Sequence, residues 1–156
     1  MNRILAFCSI AFFSIFIGTQ IAEGALLVPH WKSMSSDEFY EYYAQFGPMI
    51  ARFYTILTIA AALIPVLVGG YCLYKKSAAL PYSLVSIFLS VAFIAFFYIY
   101  FKGTNQQFYE AAFGPEQLQA ELIIWGYWHW ARVLVEFLAL LFLILSLQVL
   151  IKEASH

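Results

Sequence analysis

Charged side chains are scarce in this sequence: they make up 11% of its 156 residues, against about 25% in an average soluble domain. The net charge is −1, and nucleic acid is excluded as a partner because its phosphates need a basic face. The chain also lacks a Gly-rich phosphate loop and an internal repeat. Its two cysteines, Cys8 and Cys72, are too far apart to form a metal knuckle. We expect both to be buried as small hydrophobic side chains.

The residues that are abundant are apolar. Hydrophobic residues make up 63% of the chain and aromatic residues 20%, and the mean hydropathy is +0.80. Four apolar runs, at about 4–28, 49–74, 80–101 and 122–151, each approach the ~20 residues needed to cross a bilayer. The sequence therefore predicts an all-α integral membrane protein, an up-and-down four-helix bundle formed by one domain over residues 1–156.

Positive charges near the span ends predict the orientation of this bundle. If the four spans alternate, one side of the membrane carries four basic residues and the other side two: Arg3, Lys75, Lys76 and Lys152 against Lys32 and Lys102. This excess favours cytoplasmic termini. We also expect a multi-pass protein of a bacterial inner membrane. In this orientation the 32–47 and 102–119 connections are on the outer side.

The first run also has features of a secretory signal. It begins with a short basic segment at 1–3 and contains a small-residue stretch, Ala22-Glu23-Gly24, that would suit cleavage. The apolar pattern nevertheless continues through 25–28, which favours a retained span.

The connection after the first span has helical character. Ser35 and Glu38 have the spacing of a capping box, and an aromatic face follows at helical intervals through Phe39, Tyr42, Tyr43 and Phe46. We expect a short amphipathic helix at the membrane surface, leading through Gly47-Pro48 into the second span.

The fourth span contains three ionisable residues that do not belong in lipid. His129, Arg132 and Glu136 follow one another at intervals of three and four, which places their side chains on one helix face. Trp125 and Glu121 extend this face toward the start of the helix. An ionisable group in hydrocarbon costs several kcal/mol, so such residues normally face a protein interior and have a function.

The other spans bring polar residues to the same end of the bundle. Glu23 and His30, seven residues apart, are expected on one face of the first helix. Arg52 begins the second span, and Thr104 with Asn105 ends the third. The half nearer the termini has nothing comparable. These residues predict a polar pocket that opens toward the outer face.

Several kinds of chemistry fit such a pocket. His30 and His129, with Glu23, could ligate a transition metal such as iron or copper, and the two histidines could also ligate haem. In a cofactor-free site, His129 would act as general base while Arg132 and Asn105 stabilise an enolate. The chain has no His-Glu-x-x-His motif, and its residues do not choose among these options. The residues expected to contact a substrate are Trp125, Trp128, Arg52 and Glu121.

Each of these polar residues also has a structural interpretation. An ion pair between Arg132 and Glu136 would hold the bundle together, and His129 could be a neutral core histidine bonded to a carbonyl. Arg52 could extend its side chain to the interface. A transporter is disfavoured, because polar groups at one end leave no path across the membrane.

The same residues carry a family resemblance over about residues 15–150. The chain resembles the anthrone oxygenase-like family of small four-span membrane proteins. The resemblance lies in Thr104-Asn105 after an aromatic third span, followed by Trp125, His129 and Arg132 at the start of a leucine-rich fourth span. The Pro29-His30 pair after a small-residue stretch is similar too, although many bacterial relatives have an acidic residue where this chain has Pro29.

The resemblance implies oxygenation of a polycyclic anthrone, or a similar aromatic or phenolic molecule, with molecular oxygen. His30, Asn105, His129 and Arg132 are the positions it would assign to function. The leading hypothesis is thus a membrane oxidoreductase of the monooxygenase type that acts on a hydrophobic small molecule. The alternative is a non-enzymatic membrane subunit that binds haem, a metal, quinone or lipid. A monomer and a homo-oligomer both remain open.

Overall fold

Four long helices form the protein, in a computed structural model that describes residues 3–154. They are α1 (Arg3–Ser33), α2 (Ser36–Lys75), α3 (Leu80–Tyr109) and α4 (Pro115–Glu153). All four are long and apolar enough to cross a membrane. The predicted all-α four-helix bundle is therefore confirmed, and each helix extends beyond the span expected from hydropathy.

The two ends of the bundle are held by different contacts. At the end that holds both termini, here called the terminal end, the Glu153 carboxylate accepts hydrogen bonds from Ser77 Oγ at 2.6 Å and from the Ala78 amide at 3.0 Å. At the opposite end, here called the loop end, Tyr40 Oη donates to the Phe113 carbonyl at 2.7 Å. The loop end carries the α1–α2 and α3–α4 connections, which the charge pattern predicts to be outside.

Two helices contain a wider, π-helical turn near the loop end. In α1 this turn covers Glu23–Leu27, and in α3 it covers Phe97–Phe101. Such a turn contains one residue more than a regular helical turn. The side chains after it are therefore rotated about the helix axis by about 100°, relative to those before it, from where a regular helix would place them. The apolar pattern of the sequence does not reveal either turn.

The amphipathic segment expected after the first span is helical, and its capping box is present. The Ser35 side chain accepts from the Glu38 amide at 3.4 Å, and the Glu38 carboxylate accepts from the Ser35 amide at 2.8 Å. The segment is the first part of α2, because the helix continues past Gly47-Pro48 without a break. Proline within a membrane helix is tolerated where the surroundings satisfy the freed carbonyl.

Small polar side chains bring α3 and α4 together in the terminal half. Ser83 Oγ lies 2.8 Å from Ser146 Oγ, and Ser86 Oγ donates to the Ala139 carbonyl at 2.8 Å. Small residues allow membrane helices to approach closely, and their hydroxyls bond across the contact. These serines were not identified from the sequence, because an uncharged hydroxyl in an apolar span carries little of the cost that marks an ionisable residue. Cys72, which lies 3.4 Å from Ser83, is buried as expected, whereas Cys8 is exposed on the helix surface.

An aromatic cap fills the interior of the loop end. It is built from apolar side chains of all four helices, among which Trp31 packs edge-on against Phe39 and Trp125. The buried members of the cap are Val28, Trp31, Phe39, Phe101, Phe108, Leu118, Leu122 and Trp125. Three of these residues, Trp31, Phe101 and Trp125, also line a cavity between the helices.

Candidate functional site: a polar cluster beside an apolar cavity

A cavity of about 230 Å³ lies between the four helices in the half nearer the loop end. Its wall is mostly apolar and aromatic, and both π-helical turns contribute to it. All four helices supply lining residues, among them Glu23 and Trp31 from α1, Tyr54 and Ile59 from α2, Ile94, Phe101 and Asn105 from α3, and Trp125, Arg132 and Glu136 from α4. An apolar cavity with a few polar groups is the usual form of a small-molecule site.

Arg132 is the centre of the polar part of this wall. Its Nη2 donates to Gln20 Oε1 at 2.7 Å and lies 3.5 Å from Glu23 Oε2. Its Nε lies 3.6 Å from Glu136 Oε1, which is the ion pair expected from the four-residue spacing. The guanidinium also lies over the Phe101 ring, 4.6 Å from its centre. Arg132 thus connects α4 to α1 and α3 at one depth.

His129 lies behind Arg132 and is fully buried. Its Nε2 is 2.8 Å from the carbonyl oxygen of Gln20, which can only accept, so this nitrogen carries the proton. Its Nδ1 therefore accepts from Arg132 Nη2 at 3.1 Å. The Trp125 ring stacks on the imidazole with 5.1 Å between centres. Both ring nitrogens are engaged, so His129 holds Arg132 in place and does not face the cavity.

Gly24 makes this position of His129 possible. A Cβ atom added to Gly24 would lie 2.8 Å from His129 Cδ2 and 2.9 Å from Trp130, closer than any ordinary contact. The absence of a side chain thus lets α1 approach the imidazole, and the Gln20 carbonyl comes within hydrogen-bond distance of it.

Several buried polar atoms on the cavity wall have no hydrogen-bond partner among residues 3–154. They are Glu23 Oε2, Trp31 Nε1, Arg132 Nε, and both carboxylate oxygens of Glu136. Buried polar groups are nearly always hydrogen-bonded, so an unsatisfied set around one cavity calls for an explanation. One guanidinium also faces two carboxyl groups here, which leaves an excess of hydrogen-bond acceptors.

Asn105 and Trp125 join the cavity as the sequence predicts. Trp125 Nε1 donates to Asn105 Oδ1 at 2.9 Å, and this bond links α4 to α3. Because the amide oxygen is used in this way, the amide nitrogen of Asn105 is the group it can offer to a ligand.

Three other residues predicted to contact a substrate lie away from the cavity. Trp128 stacks on Tyr100 with 5.1 Å between ring centres. Glu121 accepts a hydrogen bond from the Tyr100 hydroxyl, and Arg52 is exposed on the surface of α2. None of the three lines the cavity. Trp128 and Glu121 lie at the neighbouring contact between α3 and α4. Residues three or four apart on a helix of 3.6 residues per turn do not point in the same direction, so members of one approximate stripe can face different neighbours.

The metal set proposed from sequence is not assembled. His30 is exposed and packs edge-on against Tyr42, with 6.0 Å between ring centres, whereas Glu23 and His129 are buried. The reason is the π-helical turn between Glu23 and His30, which rotates them onto different faces. In the described part of the chain, no group of three or more His, Cys, Asp or Glu side chains is placed to hold a metal ion. The two histidines are likewise not paired across one site for haem.

The sequence interpretation missed three contributors to the site. Gln20 bonds both His129 and Arg132, Tyr54 lines the cavity while its hydroxyl donates to the Thr19 carbonyl at 3.1 Å, and Trp31 presents an unpaired indole N–H. The available signal was Gln20, an amide within an otherwise apolar span. The two aromatic residues give no such signal, because aromatic side chains are common throughout this chain.

Comparisons of the chain with protein-family models, curated proteins and solved structures found no match.

Proposed function

We propose that this multi-pass membrane protein binds a hydrophobic aromatic molecule in the cavity and oxidises it with molecular oxygen, in the manner of the anthrone oxygenase-like family that its sequence resembles. The unsatisfied polar atoms of Glu23, Arg132 and Glu136 on an otherwise apolar wall carry this proposal. A ring with a hydroxyl or carbonyl oxygen would fill the apolar space and supply the missing hydrogen bonds.

The proposed chemistry begins with loss of a proton from an acidic carbon of the substrate. Glu136 is the proposed acceptor, because neither of its oxygens accepts a hydrogen bond and it lines the cavity. The electron pair of the broken C–H bond moves to the substrate oxygen, which becomes an enolate. Arg132 Nε and the Asn105 amide nitrogen are placed to stabilise that charge.

Molecular oxygen is the oxidant in this proposal. A substrate methylene loses two hydrogens, one oxygen atom becomes the new carbonyl oxygen, and the other leaves as water. The chain's own residues bind the ring, remove the proton and hold the enolate. His129 is a positioning residue in this scheme, because both its nitrogens are bonded to Gln20 and Arg132.

The test is turnover of anthrone by the purified protein in lipid nanodiscs, followed by anthraquinone absorbance and oxygen uptake. We expect Glu136→Gln to lower the rate by about 100-fold or more, the usual range for loss of a general base. Glu41→Gln, which changes an exposed carboxylate of α2, is the matched control and should retain the wild-type rate. Equal rates in the two variants would contradict the proposed role of Glu136.

A binding protein without turnover is the second candidate. The observation that favours it is the engaged imidazole of His129, which has no free nitrogen for acid–base chemistry. In that case the nanodisc protein would bind anthrone, Glu136→Gln would weaken binding, and no oxygen would be consumed.

A further inference from the structure

A second apolar cavity, also of about 230 Å³, continues from the first between α2 and α3. Ile59 and Ile94 line both cavities, so the two spaces adjoin. From these residues the second cavity runs toward the terminal end as a groove, lined by Ile59, Ala62, Leu63 and Val66 of α2 and by Ile87, Ser90, Val91 and Ile94 of α3. We call it the α2–α3 groove.

The groove is open sideways. On its rims the side chains of Leu63 and Val91 are 51% and 60% exposed. The rim of the first cavity is also open on this side, where Thr55 and Tyr98 are exposed. These side chains belong to the apolar surface that α2 and α3 would present to lipid.

The depth of the groove matches the acyl chains of a bilayer. At about 1.5 Å per residue, Arg132 lies about 30 Å along α4 from Lys152, and Glu23 lies about 30 Å along α1 from Arg3. This equals the ~30 Å of the hydrocarbon core, so the polar cluster falls at one hydrocarbon boundary when the basic residues lie at the other. Val66, about 14 Å from Lys75 along α2, falls near the middle.

We propose that the ligand is an amphiphile that enters from the bilayer between α2 and α3. Its oxygenated ring lies beside Arg132 and Glu136, and an aliphatic tail lies in the α2–α3 groove. The inference rests on the proposed function in assigning the first cavity to an aromatic ring. It adds the class of molecule, a ring with a tail, and the route by which that molecule arrives.

The occupant follows from the continuity of the two spaces. None of the residues that line the groove is charged. The polar residue among them, Ser90, donates its hydroxyl proton to the Ser86 carbonyl at 2.9 Å. The groove therefore offers a hydrocarbon chain only apolar contact, whereas the cavity offers an oxygenated ring hydrogen bonds. A ligand with both parts satisfies both surfaces at once.

The experiment compares two probes, 2-naphthol and 6-decyl-2-naphthol, by quenching of tryptophan fluorescence in nanodiscs. Concentrations are expressed per lipid, so that the greater partitioning of the tailed probe into lipid is removed from the comparison. Ala62→Phe fills the groove, and Val91→Phe is a second blocking variant at an exposed rim position. Ala11→Phe makes the same change at an exposed alanine of α1 and is the matched control.

We expect the wild type and Ala11→Phe to bind the tailed probe about tenfold tighter than 2-naphthol, the gain from burying about two methylenes. Either blocking variant should lose that preference and bind 2-naphthol like the wild type. If both folded blocking variants kept the tenfold preference, the tail assignment would be overturned while the proposed function stood. If neither probe bound the wild type, the assignment of the first cavity to an aromatic ring would fail, and with it both the proposed function and this inference.

Discussion

At the scale of single residues, the site depends on one arginine that lies between two carboxyl groups. Arg132 lies within 3.6 Å of both Glu23 and Glu136 and bonds Gln20 and His129 as well. Its removal would leave two acidic groups in the bundle interior without a cation beside them. Removing one partner of a buried ion pair strongly destabilises the folded protein, because the remaining charge has neither water nor a counter-ion beside it.

We therefore expect Arg132→Met to lower the free energy of unfolding by about 3–5 kcal/mol. Arg52→Met removes the same charge from an exposed position of α2 and should change stability by less than about 0.5 kcal/mol. The measurement is unfolding of the two variants in mild detergent, followed by circular dichroism. Similar losses in both would show that the contacts of Arg132 contribute little.

The residues that the sequence identifies are those with an energetic cost in lipid. The spacing of His129, Arg132 and Glu136 predicted a shared face, and the structure confirms the ion pair at its centre. The same spacing did not distinguish their roles. Glu136, interpreted as structural support, lines the cavity, whereas His129 faces away from it. Which side of a shared stripe meets a cavity depends on the neighbouring helices, and one sequence does not contain that information.

At the scale of helices, Gly24 permits a close approach between α1 and α4. In Gly24→Ala the new methyl group would lie within 3 Å of the His129 ring. The helices would have to separate, at a cost of about 1–3 kcal/mol for overpacking. We expect lower thermal stability and weaker ligand binding, because α1 also carries Gln20 and Glu23.

Gly18→Ala is the matched control for this change. Gly18 lies in the same helix with nothing within 4 Å of the added Cβ, so alanine there should be neutral or slightly stabilising through its better helix propensity. Both variants are compared by melting temperature in detergent. A Gly24→Ala protein as stable as Gly18→Ala would mean that α1 moves away from α4 without loss.

The helices themselves follow from the sequence, but their rotation does not. Hydropathy identified all four spans, and the capping box at Ser35 identified the start of α2. The π-helical turn at Glu23–Leu27 leaves no trace in hydropathy, yet it moves His30 out of the site. A one-residue change in helical repeat alters which side chains share a face without altering their apolar character.

At the scale of the whole molecule, the bundle has two distinct halves. The terminal half is held by serine-mediated contact of α3 with α4, and the loop-end half contains the cavity. The positive charges predict that the terminal half is the cytoplasmic one. Which leaflet holds the cavity follows from this orientation.

Labelling of single cysteines in intact bacterial cells tests the orientation. In a Cys8→Ser background, we expect a membrane-impermeant maleimide to label a cysteine that replaces Glu110, which is exposed at the loop end. A cysteine that replaces Lys76, exposed in the α2–α3 turn, should react only after the cells are opened. The reverse labelling pattern would place the cavity in the cytoplasmic leaflet.

The length of the helices has a consequence for the kind of ligand that can reach the cavity. With 40 and 39 residues, α2 and α4 are each about 60 Å long, roughly twice the thickness of the hydrocarbon core. The part beyond the core carries the aromatic cap, which supplies Trp31, Phe101 and Trp125 to the cavity wall. A ligand that enters between α2 and α3, as proposed above, would dissolve in the membrane before it binds. Across a chemical series, potency should follow the lipid–water partition coefficient as closely as complementarity to the cavity.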